Sequence, residues 1–310
     1  MSKIIAALDL GTNTFHLLIA SVENGKIHKY VEEQRHVKLG EGGINKGLIA
    51  EQAYERGLEA LRFFKSIIDS YPVDLIRANG TAALRTAANG DEFITQVKNE
   101  TGIEIGIIPG DREAELIYKG VRAAVELDES SLIMDIGGGS VEFIFCNQAE
   151  IFWKRSYPVG AAKLMATFHH SDPINKNDKE LIHLHLIREL KELKEIAGKF
   201  RPLKLVGSAG AFETFAALEV DQFGEGKNLQ KQPHCHVFTS HHLQTVIQNL
   251  ITSTHIDRAN NSLILPVRTD MIVVASLLAQ FIIEELQLSR VEMSTFSLKE
   301  GLLIESAESY

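Results

Sequence analysis

The chain has 310 residues, 45% hydrophobic and 24% charged, with a formal net charge of −9. That length suffices for two domains with their own cores, while the acidic balance argues against a nucleic-acid surface, where a basic excess is expected. Cys146 and Cys235 are the only cysteines, so neither a disulfide framework nor a thiolate zinc site is implied. No run has transmembrane length or the form of a signal peptide, and a reducing cytoplasm is the expected compartment.

Lys3 to Asp9 is an apolar run that ends in Asp9-Leu10-Gly11-Thr12-Asn13, and Phe15 to Ser21 follows as a second strand. Asn24-Gly25 is a hairpin turn signal, and Lys26 to Val37 supplies a third strand. Glu51 to Ser70 carries Ala53, Leu58, Leu61, Phe64 and Ile68 at helical spacing. Thr86 to Thr101 reads as another helix, and Glu104 to Ile108 as a strand. Pro109-Gly110 breaks that strand, and Asp111 is the expected N-cap of a helix reaching Val125. The charged stretch around Asp128-Glu129-Ser130 marks a domain boundary near Leu127, giving domains 1–127 and 128–310.

In the second half, Leu132-Ile133-Met134 leads into Asp135, three glycines and Ser140, then Val141 to Phe145. Ile151 to Tyr157 is a third strand. Asp178 to Phe200 reads as one amphipathic helix with Leu181, Leu184, Ile187, Leu190, Leu193 and Ile196 on its buried side. Gln222 to Gln232 is a polar loop, and Met271 to Leu286 a buried helix. Leu298 to Ser306 is a helix that would pack back on the first domain. His234-Cys235-His236 and His241-His242 do not fix four convergent ligands, so surface and capping roles are expected of them rather than metal binding.

Shifted by 126 positions, the first half overlays the second. Asp9 falls on Asp135, Gly11 on Gly137, Thr14 on Ser140 and His16 on Glu142, while Gly80-Thr81-Ala82 lies opposite Gly207-Ser208-Ala209 at nearly the same offset. Two long-range matches at one offset indicate duplicated domains. Each would be a three-stranded meander continued by strand-helix units, an α/β fold with mixed sheets flanked by helices. Glycines in the turns leave backbone N–H groups open to phosphate oxygens, and Asp135 and Glu142 flank the second turn with the oxygen ligands that Mg²⁺ prefers.

On these motifs the chain resembles the Ppx/GppA phosphatases of the sugar kinase, Hsp70 and actin superfamily. The family's phosphate motifs match Asp9-Leu10-Gly11-Thr12-Asn13 and Asp135-Ile136-Gly137-Gly138-Gly139-Ser140-Val141-Glu142. Further segments match Gly80 to Asn89, Gly110-Asp111-Arg112-Glu113-Ala114, Val206 to Gly210 and Arg268-Thr269-Asp270. The resemblance implies two duplicated actin-like (ribonuclease H-like) domains with the active site in the interdomain cleft. It implies exopolyphosphatase activity, pppGpp 5′-phosphohydrolase activity, or both, with polyphosphate or pppGpp as the partner; domain closure is expected to align the groups.

By position alone, Glu113 is an acidic residue in the first turn of a helix, favoured there by the dipole. The family match makes it the catalytic glutamate, with Glu115 second in rank. Thr12, Asn13, Arg85, Gly138, Gly139, Ser140 and Arg268 are the expected phosphate-binding residues, and Glu142, Asp135 and Asp9 the candidate ligands of Mg²⁺. Lys38, Lys46 and Lys163 are candidates for a basic track along a polymer. Ala161 and Lys299 depart from the cysteine and arginine of relatives. Longer relatives append a helical region; without it, less processive attack is expected. A kinase or a non-hydrolytic alarmone sensor of the same architecture remains open, as does a homodimer through exposed apolar helix faces. No nucleic acid or membrane is an expected partner.

Overall fold

The computed structural model describes residues 3–128, 130–208, 210–224 and 234–309. Glu129, Ala209 and the stretch 225–232 of the expected loop lie outside the described residues. Contacts divide the chain into two units. The first comprises Met1–Gly120, Gly137–Gly139 and Phe296–Tyr310, and the second Val121–Ile136 and Ser140–Thr295. Residues 121–127 thus group with the second unit and residues 296–310 with the first.

The first unit runs β1 (Ile5–Leu10), β2 (Phe15–Glu23), β3 (Lys26–Arg35), α1 (Glu51–Ile68), β4 (Leu75–Gly80), α2 (Ala82–Thr86), α3 (Gly90–Thr101), β5 (Ile105–Ile107) and α4 (Gly110–Ala124). Its sheet has the order β3-β2-β1-β4-β5, with β1 antiparallel to β2 and parallel to β4. Because side chains alternate, Ala6, Leu8, Leu10, Leu17 and Ile19 share a face and form a core with Leu58, Leu61, Phe64 and Phe93. The helix expected over 86–101 begins only at Gly90; Ala87 to Asn89 separate it from the short α2. The helix expected to be capped by Asp111 begins two residues earlier, at Gly110. The Pro109 carbonyl accepts from the Arg112 and Glu113 N–H groups, so Asp111 lies within the first turn.

The second unit contains β6 (Ser131–Ile136), β7 (Val141–Cys146), β8 (Ile151–Tyr157), α5 (Ala161–Phe168), α6 (Lys176–Glu189), α7 (Lys191–Phe200), β9 (Lys204–Ser208), α8 (Gly210–Phe223), β10 (Cys235–Val237), α9 (Ser240–Thr252), α10 (His255–Ala259), α11 (Met271–Glu285) and β11 (Arg290–Ser294). Read from its meander edge, the sheet is β8-β7-β6-β9-β11-β10, the order of the first unit with one strand added. The duplication is real, but its second offset is not the one the motifs give. Asp9 pairs with Asn79 and Asp135 with Ser208, so β9 sits two residues from the motif alignment, a slip that keeps every side chain on its face.

The single helix expected over 178–200 is two, broken at Leu190, and its first half turns a different side inward. Asp178, Ile182, Leu186 and Leu190 follow an i+4 stripe into the core, whereas Leu181, Leu184 and Ile187 are exposed. Gln222, expected in a loop, closes the last turn of α8. The apolar α11 is buried, as its composition requires.

The last helix, α12 (Leu298–Glu308), belongs to the first unit and packs on β1 and β2. Ile5, Ala7, Leu18 and Ala20 alternate with the core set above and so face the other side of the sheet, which makes β1 buried on both faces. A capping box between Ser297 and Glu300 starts α12. Gly120 and Gly301 let it approach α4. A Cβ on Gly301 would lie 1.8 Å from the Leu116 carbonyl oxygen, and one on Gly120 would lie 2.1 Å from that of Ser297.

Candidate active site

In the first unit the turn after β1 is closed by Gly11 N–H donating to Thr14 O (3.2 Å), and the following loop is pinned to it. Lys38 N–H donates to Asn13 O (2.8 Å) and Gly40 N–H to Thr12 O (3.1 Å). Lys38 takes a left-handed backbone (φ 49°) to do so, a conformation that costs a non-glycine residue energy and is retained where the surroundings dictate it. The triple-glycine turn packs here too. A Cβ on Gly138 would meet Asn13 Nδ2 at 2.4 Å, and one on Gly139 would meet Ala82 Cβ at 2.8 Å and Thr12 Oγ1 at 3.0 Å. Thr12, Asn13, Gly138 and Gly139, four of the expected phosphate residues, are therefore neighbours.

Glu113 and Arg85 are joined as well. Glu113, only 7% exposed in the first turn of α4, accepts from Arg85 Nη1 at 3.0 Å, and the same guanidinium donates to Ile108 O at 2.8 Å. A carboxylate at a helix start beside a cation that can grip phosphate has the parts for holding a water against a phosphoryl group. Glu115 is bonded instead to Arg112 (2.7 Å), on the side of α4 where Arg112 also meets Glu305.

In the second unit Glu142 is 1% exposed. Its Oε1 accepts from Ser140 Oγ (2.8 Å) and Ser156 Oγ (2.6 Å), two hydroxyl bonds that fix the carboxylate's orientation. Glu142 faces Asp135 across the β6–β7 ladder, and Asp135 faces Ser208 on the parallel β9. The ladder continues to Ser294 and Cys235, so the row Ser156, Glu142, Asp135, Ser208, Ser294, Cys235 crosses the whole sheet. It lies at the carboxyl ends of the parallel strands, where ligands of open α/β sheets bind. In the first unit the same row reads Gln34, His16, Asp9, Asn79, Gly106.

The donor set suits a hard cation. Asp135 and Glu142 are opposed carboxylates, and the adjoining Ser208 Oγ is a buried hydroxyl without a hydrogen-bond partner. Among the described residues no three His, Cys, Asp or Glu side chains converge into a protein-only metal site. Mg²⁺, which is held by one or two carboxylates plus water and phosphate, needs none.

Arg268 is held by α8. Its Nη2 meets Glu213 Oε2 at 3.2 Å and its Nη1 donates to Thr214 Oγ1 at 3.2 Å. The loop that carries it is fastened by Arg258, a fully buried arginine. Arg258 donates to Thr269 O (2.6 Å), Ser253 O (2.5 Å) and Asp172 Oδ1 (2.8 Å). Sequence reasoning missed Ser156, Glu213 and Arg258. Counting the β7–β8 register back from the Asn147–Glu150 turn would set Arg155 opposite Glu142, and an irregularity at Phe145–Cys146 shifts the pairing by one residue to Ser156; for the other two the sequence carries no local signal.

The remaining candidates are dispersed. Lys38 adjoins the first turn, Lys46 is exposed after it, and Lys163 lies on α5 of the second unit. Lys299 is committed to Glu32 (3.4 Å) and Glu300 (3.1 Å), and Ala161 to the core. Of the histidines expected at the surface, His236 is buried and bonded to the buried Glu219 (2.6 Å), while His242 stacks on Phe223.

Each sheet therefore carries an aspartate, Asp9 or Asp135, in the same register two residues ahead of a glycine, and residues 18–310 match the model of the Ppx/GppA phosphatase family. The chain belongs to the Ppx/GppA family. It is similar to an exopolyphosphatase from Cytophaga hutchinsonii, with 38% identity, a TM-score of 0.94 and 98% of each chain covered. The PPX-GPPA enzyme of Aquifex aeolicus superposes with a TM-score of 0.80 at 25% identity, over 98% of this chain and 99% of that one. A guanosine-5′-triphosphate,3′-diphosphate pyrophosphatase from Aeromonas hydrophila is 30% identical over 73% of this chain but only 45% of its own length, so this chain spans less than half of that relative. Ppx/GppA relatives bear the names of phosphoanhydride hydrolases, and membership makes this chain an enzyme of that class. No helix among the described residues is long and apolar enough to cross a membrane.

Proposed function

We propose that this Ppx/GppA protein is an exopolyphosphatase that removes the terminal phosphate of inorganic polyphosphate. The observation that supports it most is the Arg85–Glu113 pair, a nearly buried carboxylate 3.0 Å from a guanidinium at the start of α4. Glu113 orients a water for in-line attack on the terminal phosphorus and takes its proton as the P–O bond to the rest of the chain breaks. Arg85 and Arg268 bind the phosphoryl oxygens with charge-assisted bonds, and Thr12, Asn13, Gly138, Gly139 and Ser140 offer backbone and side-chain donors. Asp135 and Glu142, with Asp9 as the remaining candidate, would hold Mg²⁺. When bound, the ion offsets the charge on the transferred group.

Polyphosphate is preferred because the likeness to the Cytophaga exopolyphosphatase runs the length of both chains. A second reading, pppGpp hydrolysis, is favoured by the Aeromonas relative, since both substrates end in the same phosphoanhydride. The test is phosphate release with Mg²⁺ from long-chain polyphosphate, pppGpp and ATP. The expected result is release from polyphosphate, reduced roughly 10²–10⁴-fold in Glu113→Gln with polyphosphate still bound. Faster release from pppGpp would replace the substrate assignment, and wild-type turnover by Glu113→Gln would remove Glu113 from the mechanism.

A further inference from the structure

Each expected phosphate arginine is engaged by a glutamate in the first turn of a long helix: Arg85 by Glu113 on α4, and Arg268 by Glu213 on α8. Glu113 has a use in the reaction. Glu213 has none so far, and its position is a costly one for a protein that binds polyanions. A carboxylate 3.2 Å from Arg268 Nη2 occupies a donor that a phosphate oxygen would take, and it repels that oxygen as it arrives. Thr214, the next residue, is buried and accepts from Arg268 Nη1, so the guanidinium is aligned by a neutral partner without help from the carboxylate. The Glu213 side chain is 40% exposed and that of Arg268 20%, which leaves the pair open to exchange with solvent anions rather than locked in the core. The backbone beneath Arg268 is anchored independently, by Arg258 on the carbonyl of Thr269.

We propose that Glu213 is a place-holding carboxylate that occupies Arg268 when no anion is bound and must be displaced by the phosphate chain, so that it sets how weakly the site holds polyphosphate and orthophosphate. This rests on the assignment of Arg268 to phosphate binding. A hydrolase that removes one phosphate after another must also let each product go, and a competing carboxylate at a binding arginine lowers the affinity for small anions without removing the donor. A structural role for the ion pair makes the opposite prediction, since an exposed pair that merely supported the fold would, on removal, leave anion binding equal or weaker.

The experiment titrates tripolyphosphate into the protein by calorimetry, in chelator so that no turnover occurs, for wild type, Glu213→Gln, Arg268→Ala and the double variant. Glu213→Gln is expected to bind about fivefold tighter, the scale of one exposed ion pair plus relief of repulsion. Orthophosphate should inhibit polyphosphate hydrolysis at a correspondingly lower concentration. Arg268→Ala should bind more weakly, and the gain from Glu213→Gln should vanish in the double variant, because the two residues act through one contact. Equal or weaker binding by Glu213→Gln, or a gain that survives the loss of Arg268, overturns the place-holding role alone. Unchanged binding by Arg268→Ala overturns the phosphate assignment of Arg268, and the place-holding role with it.

Discussion

The close approach of α12 to α4 can be tested with one methyl group. In Gly301→Ala the new Cβ would lie 1.8 Å from Leu116 O, 2.6 Å from Leu116 C and 3.1 Å from Gly120 N, all backbone atoms that cannot rotate aside. Reaching ordinary contact requires the helices to part by roughly 1.5 Å, which forfeits part of the dispersion attraction along the interface. Overpacking of this kind costs about 1–3 kcal/mol. Here the upper end applies, and better helix propensity returns about 1 kcal/mol, for a net loss of about 2 kcal/mol. At about 2–4 °C per kcal/mol the melting temperature should fall by roughly 4–8 °C.

Gly198 supplies the control, because it lies inside α7 with nothing within 4 Å of its would-be Cβ. The same glycine-to-alanine change there should raise stability by about 0.5–1 kcal/mol. Since Leu116 is one helical turn from Glu113, displacement of α4 should also lower kcat for polyphosphate by about tenfold or more in Gly301→Ala. Differential scanning calorimetry and phosphate release measure the two effects. A Gly301→Ala protein as stable as wild type would refute the packing argument, and one that is less stable but fully active would refute the claim that α12 holds α4 in register for catalysis.

Ser156→Ala removes one of the two hydroxyls on Glu142 Oε1, so the Mg²⁺ concentration for half-maximal activity should rise about tenfold with little change in melting temperature; an unchanged Mg²⁺ titration would count against Glu142 as a ligand. Burial, followed by the nearby Arg258, lowers the His169 pKa, against the weaker raising effects of Asp270 and Asp172. The unfolded chain then binds more protons than the fold just below pH 6.5, so stability is full above that value and declines as the pH falls toward the folded pKa. His169→Gln should flatten this part of a melting-temperature profile; a slope as steep as that of wild type would assign it elsewhere. Burial pushes the Cys146 thiol up to about 12, and burial with Glu292 nearby pushes Cys235 up to about 11. Neither should react with iodoacetamide at pH 8 in the folded protein, and rapid labelling of the native state would contradict this.

Much of the fold was legible because its signals are local. The two hairpins announce themselves by period and turn residues, and the 126-residue offset needs only the turns Asp9–Asn13 and Asp135–Ser140. What failed was the choice between stripes. In residues 178–200 both an i+3 and an i+4 series of apolar residues can be drawn, and the packing partners, not the pattern, decide that Ile182 and Leu186 go inward. The parallel-strand register was also out of reach, since the link from β6 to β9 runs through three helices whose length carries no information on pairing. In the site, Glu113, Arg85 and Glu142 stood in motifs. The partners that lie outside the motifs come from elsewhere in the chain, as with Ser156 on Glu142 and Glu213 on the motif residue Arg268.

The membership of α12 in the first unit has a consequence for synthesis. Domains ordinarily fold in order as they leave the ribosome. Here the N-terminal unit carries the Asp9–Asn13 turn and Glu113, yet one face of its β1–β2 hairpin packs against residues 298–308. A nascent chain that has already emerged through β9 still lacks that helix over the face formed by Ile5, Ala7, Leu18 and Ala20. The first half made is thus completed only after the second unit has been synthesised.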